Sequence, residues 1–99
     1  MTAIFPDPIA YEVTHEKASG LARTEKRFVA ALEAYRRRAD ESAVDQREHV
    51  FWELVDATTA FVVHREACGL RDPRYIFDLY GVPTEAVARI GVRRRAGAR

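Results

Sequence analysis

The chain has a single cysteine, Cys68, so no disulfide can close within its 99 residues. Its stability must come from packing, and so sparse a use of thiols suits a reducing compartment. The run Met1-Thr-Ala-Ile-Phe-Pro-Asp-Pro8 lacks both a basic start and a long apolar stretch, and does not read as a secretion signal. No apolar run approaches the ~20 residues that a membrane-crossing helix needs. These absences lead us to expect a cytoplasmic protein with no membrane partner. Sustained two-residue alternation with β-branched side chains is missing too, so no strand is assigned.

What is present is an ordinary globular balance, 47% hydrophobic and 31% charged, in a chain with room for one domain. Asp7-Pro8 is helix-start chemistry: an aspartate to cap, then a proline where a missing N–H costs nothing. Apolar residues then recur at helical spacing as Tyr11, Ala18, Leu21, Phe28, Leu32 and Tyr35, with no proline before about Arg38. Gly20 interrupts this stripe. It marks a kink, a break or a close helix crossing, three alternatives that spacing does not separate. Ser42 with Asp45 resembles a capping box for a second helix ending near Cys68, whose stripe is Val44, Phe51, Leu54, Val55, Phe61 and Val62. Gly69-Leu70, Gly81-Val82 and Gly91-Val92 are one stop signal used three times. They bound two short helices, Pro73 to Tyr80 and Glu85 to Ile90.

The expected fold is all-α: a long antiparallel helical hairpin followed by two short helices. Residues 1–92 form the domain and residues 93–99 a basic, disordered tail. Two helices of this length make the molecule elongated. Pairing across the turn sets Leu32 near Phe51, Phe28 near Leu54 and Leu21 near Phe61. The apolar arc of the second helix is wider than one partner helix covers, and Trp52 and Val63 lie on a separate flank. Either the short helices cover that flank or a second copy does, and we expect a homodimer, a bundle of helices.

Charge is uneven around a net of +1. Residues 10–38 carry seven Lys/Arg and four Glu, a net of +3; residues 43–68 carry two Arg and five acids, a net of −3. The two helices are therefore complementary neighbours. Glu25, Arg47 and Arg65 fall on or beside apolar stripes, where they act as interfacial ion pairs or snorkel outward. Arg36-Arg37-Arg38 points three ways on a helix and reads as solvated.

Chemistry-bearing patterns are sparse. Glu12 and His15 have the i, i+3 spacing of one half of a di-iron carboxylate site, but no second Glu-x-x-His exists. His64 and Cys68 share a face at i, i+4 without two further ligands nearby in sequence. Cys68 sits at a helix carboxy terminus, where the dipole raises a thiol pKa, and reads as a packed residue rather than a nucleophile. Neither a phosphate loop nor a recognisable triad is found. We expect no enzyme, no metal and no cofactor.

Two resemblances complete the reading. The stretches from Val63 to Asp72 and from Tyr80 to Gly91 resemble a family of short all-helical bacterial proteins of unknown function, which implies no activity or ligand. Residues 76–90 resemble a helix-turn-helix: Gly81 as the turn glycine, Val82 after it, and Val87 as the buried residue of the second helix. That resemblance places Thr84, Glu85, Ala86 and Arg89 toward a DNA groove, with phosphate contacts from Arg93, Arg94 and Arg95. It departs from the motif at Phe77, where an alanine normally lets the helices approach. The leading expectation is a non-enzymatic interaction module, a dimer that binds a protein partner. The alternative is a small nucleic-acid-binding regulator.

Overall fold

The computed structural model describes residues 8–38 and 43–92, with side chains from His15 onward. The Asp7 cap, the Ser42 box, the Glu12 side chain and the 93–99 tail fall outside the described residues. Four helices follow in order: α1 (Pro8–Arg38), α2 (Val44–Ala67), α3 (Arg74–Tyr80) and α4 (Thr84–Val87). There is no strand among the described residues. The chain is elongated, with a radius of gyration of 17.0 Å against the ~13 Å of a compact domain of this length.

α1 and α2 form the antiparallel hairpin. Phe28, Leu32 and Ala31 face Leu54, Ala57 and Phe61 in one core. Lys17 lies opposite Cys68, Gly20 opposite His64 and Arg38 opposite Gln46. The register therefore slides slightly from the sequence pairing, which set Leu21 against Phe61. The ring of Phe61 stacks on Phe28 at 5.2 Å, and Tyr35 meets the Phe51 ring at 6.4 Å. At the level of Gly20 the missing side chain leaves room for the His64 imidazole.

Gly20 does not end its helix, since α1 is helical throughout. A Cβ built there would lie 3.1 Å from the His64 ring. It is a close-crossing glycine, and of the three alternatives left open by spacing the break is excluded.

α3 and α4 lie over the hairpin as a partial third layer, with Ile76, Val82 and Ala86 joining the core. Asp72 starts α3 by accepting the Arg74 N–H at 3.1 Å. Gly81 ends it in the left-handed region (φ 66°), and the Val82 N–H returns to the Phe77 carbonyl. α4 is shorter than the expected run to Ile90. After Val87 the Arg89 and Ile90 N–H groups bond three residues back, to Ala86 and Val87, which tightens the chain into turns that end at Gly91. At the start of α2 the cap is Ala43, one residue past the expected serine, with no side-chain cap bond.

Candidate functional site

Two surfaces and one cleft carry most of the polar or exposed apolar chemistry. The first surface is α3. It is pinned to the hairpin at its carboxy end, where the Arg36 guanidinium donates to the Tyr80 carbonyl. The Tyr80 hydroxyl donates to Glu25 Oε2 at 3.3 Å, and its ring stands edge-on to Phe28 at 5.1 Å. Burial, then the Glu25 carboxylate, push the Tyr80 phenol above its ordinary value. Arg65 lies over the Phe61 ring at 5.8 Å with its Nε–H buried and unbonded. Of the three stripe charges, Glu25 serves α3 and Arg65 packs on a core ring. With Ile76 turned inward, α3 presents Tyr75 and Leu79 outward, one turn apart and 65% and 60% exposed.

The second surface is the hairpin's turn end, where Arg36 reaches the carboxy end of α3 and grooves flank the seam. One side of the seam holds an open groove of about 250 Å³, bordered by Tyr35, Val44, Arg47, Glu48 and Phe51. The other holds a shallow groove of about 410 Å³ over Ala31, Ala34 and Val50, rimmed by Arg38, Asp45, His49 and Glu53. Glu53 is engaged with Arg27 at 3.0 Å.

The cleft is the α1–α2 crossing at Gly20. His64 Nδ1 donates to the Ala60 carbonyl at 3.0 Å, which leaves Nε2 facing the Gly20 notch. The Cys68 thiol points to the Lys17 carbonyl at 3.8 Å. His64 and Cys68 thus share a face but gain no further ligand: the described residues hold no cluster of three metal-binding side chains. His15 is exposed on α1.

The helix-turn-helix residues are only partly placed as the resemblance implies. Thr84, Glu85 and Arg89 are exposed. Ala86, assigned to the reading side, is wholly buried, while Val87, assigned to the interior, is only half-buried. The reason is that α4 packs on α2 through its smallest side chain, which allows close approach, and the Gly91 N–H bonds Thr59 Oγ1 at 3.0 Å. α4 itself has four residues, ~6 Å of helix. Phe77 packs against the core, filling the space that alanine leaves open in the motif. Arg93, Arg94 and Arg95 fall outside the described residues.

Sequence reasoning missed Arg36 and Tyr80. Arg36 stands in an arginine run read as solvated, yet it caps α3, and Arg38 bonds Gln46 at 3.1 Å. The signal in the sequence was Tyr80-Gly81, a helix carboxy terminus with exposed carbonyls that attract a cation. The Trp52–Val63 flank is split: Trp52 is half-buried and edge-on to Phe51 at 5.4 Å, while Val63 stays 56% exposed. Among the described residues no helix is long and apolar enough to cross a membrane. Comparison with protein-family models, curated proteins and solved structures finds no match.

Proposed function

We propose that this chain is a non-enzymatic, cytoplasmic helical interaction module that pairs with itself and binds a protein partner through α3. One observation carries the reading: Tyr75 and Leu79 stand in solvent on a two-turn helix whose other side is fastened by Ile76, Tyr80 and Arg36. An aromatic and an aliphatic anchor on a rigid mount form the centre of a protein-binding patch, because holding them in place beforehand lowers the entropy lost on binding. Leu70, also exposed, extends the apolar character at the foot of α3. The test compares the proteins cross-linked in cells by the native chain and by the Tyr75→Ala/Leu79→Ala variant. A partner retained by the first and lost with the second, at equal abundance and helicity, supports the reading. Identical cross-linked sets sink it.

The nucleic-acid reading keeps one favourable observation, the outward placement of Thr84, Glu85 and Arg89. Under it, duplex binding weakens with salt at a log–log slope of roughly −0.9 per phosphate neutralised, and removal of Arg93, Arg94 and Arg95 flattens that slope by about three units. Sequence preference depends on Arg89. A random pool that enriches no motif removes this alternative.

A further inference from the structure

Arg65 carries a charge that the chain places but does not neutralise. It projects from the last turn of α2 over the Phe61 ring, with its Nε–H buried and unbonded. No carboxylate pairs with it among the described residues. The acids around α3 are engaged with other groups. Glu25 accepts the Tyr80 hydroxyl, Asp72 holds Arg74 at 3.2 Å, and Asp78, one turn along α3, acts on the same guanidinium. Glu66 and Arg71 border a hollow that Arg65 does not line, and their charges offset. An aromatic face attracts a guanidinium but satisfies none of its N–H groups. Exposed apolar residues accompany this cation. The Leu70 N–H bonds the Arg65 carbonyl at 2.8 Å, which folds Leu70, 45% exposed, back onto the turn that carries Arg65. On the α3 side, the Phe61 ring under Arg65 stacks on Phe28, and Tyr80 meets Phe28 edge-on. Arg65 and Tyr75 both act electrostatically on the Tyr80 phenol, so the Tyr75 end of α3 lies within reach of the same charge.

We infer that the segment bound at α3 is acidic and apolar: one carboxylate side chain taken by Arg65, and a neighbouring apolar side chain seated on Tyr75 and Leu79. This rests on the interaction-module reading and names the chemistry of its partner. A guanidinium presents a planar fork that matches a carboxylate with two parallel N–H···O bonds. The Phe61 ring already fixes where the group lies, so little side-chain freedom remains to be lost on binding. Arg65 is also mostly withdrawn from water, and its charge therefore acts more strongly than one on an open surface. A basic segment of the same apolar character would meet an uncompensated like charge at this point, which gives the surface a basis for rejecting it. Tyr75, Leu79 and Leu70 supply the apolar contact, and Arg65 supplies the choice among apolar segments.

Selection of random peptides on the full chain tests this, with the Tyr75→Ala/Leu79→Ala chain used to discard peptides that bind elsewhere. The expected survivors share an Asp or Glu at a fixed distance from an apolar residue. One survivor is then titrated by fluorescence anisotropy, in its acid form and with that acid replaced by its amide, against the native chain and Arg65→Met. Methionine keeps an unbranched stem over Phe61 and removes the buried unbonded N–H, so the melting temperature should hold. Arg65→Met should weaken binding of the acid form about tenfold at low salt. The amide form should bind the native chain about tenfold more weakly, and the Arg65→Met chain less than about twofold more weakly, because each change removes the same pair. Should Arg65→Met fail to fold, the acid and amide forms on the native chain still decide the matter. Survivors that are apolar without acidic enrichment, or acid and amide forms of equal affinity for the native chain, overturn the inference and leave the module reading standing. An acid whose removal costs as much on Arg65→Met as on the native chain overturns it too, since another cation then takes the carboxylate. A selection that yields no peptide dependent on Tyr75 and Leu79 overturns the inference and the module reading together.

Discussion

The middle of the hairpin and its turn end are built from the same two helices and have different interiors. In the middle, Phe28, Leu54, Val55, Ala57 and Phe61 are closed off from solvent, because α3 and α4 lie over the seam. At the turn end, Val50 is the only buried residue of α2 between Val44 and Trp52. Two crossing helices bury one stripe each and leave the sides of the seam wet; a third layer makes the seam a core. Stability therefore concentrates in the middle, and free surface for binding concentrates at the end.

The largest effect that sharpens this contrast is Phe28→Ala. It removes a ring stacked on Phe61 and met edge-on by Tyr80, and should cost about 3–5 kcal/mol in urea denaturation. The Phe28→Ala/Phe61→Ala double variant should cost less than the sum, because the rings touch. A turn-end truncation as costly as Phe28→Ala would erase the contrast.

Gly20 gives a test of intermediate size. Alanine is favoured over glycine by about 1 kcal/mol in a helix interior, yet the His64 ring occupies the space its Cβ needs. Moving the ring strains its bond to the Ala60 carbonyl. Gly20→Ala should therefore fail to stabilise the native chain, and should stabilise a His64→Ala background by up to about 1 kcal/mol. The same gain in both backgrounds would show that the crossing is loose.

A smaller effect reads the fastening of α3. Tyr80 is raised above its ordinary value of 10.0, chiefly by burial and then by Glu25, so the folded chain holds the phenol proton more tightly than the unfolded one. Its contribution is complete below pH ~10 and is lost as pH rises through the folded value. Tyr80→Phe should remove that part of the alkaline loss, measured as melting temperature between pH 9 and 11. An unchanged alkaline profile would mean that Glu25 does not engage the hydroxyl in solution. Smallest of all, Leu79→Ala should shift folding stability by less than about 0.5 kcal/mol while weakening capture of the protein partner.

Much of the architecture was legible because helices announce themselves through periodicity and stop signals. Asp72-Pro73, Gly69-Leu70 and Gly81-Val82 act as their chemistry predicts, and Phe28, Leu54 and Phe61 are core. Register was less legible. It depends on how closely backbones approach, and at Gly20 a histidine from the other helix fills the notch. Spacing alone shows a glycine; it does not show what fills it. Arg36 and Ala86 were misplaced for the same reason. Each is set by a contact with a helix distant in sequence, where charge attraction or small size outweighs position on the wheel. Of the surfaces, the breadth of the α2 apolar arc pointed to uncovered area, but which part stays open was decided by where α3 and α4 land.

The bond from Gly91 to Thr59 also bears on how the chain is made. Residues 8–67 contain both arms of the hairpin, so those arms can meet while the rest is still inside the ribosome. Their seam is incomplete at that stage. Ala86 and the Gly91 clasp are translated later, and until they arrive the core that Ala86 joins on α2 is incomplete. For that interval the growing chain exposes its stickiest stretch, and a chaperone that favours apolar segments would find its best target on α2 around Phe61.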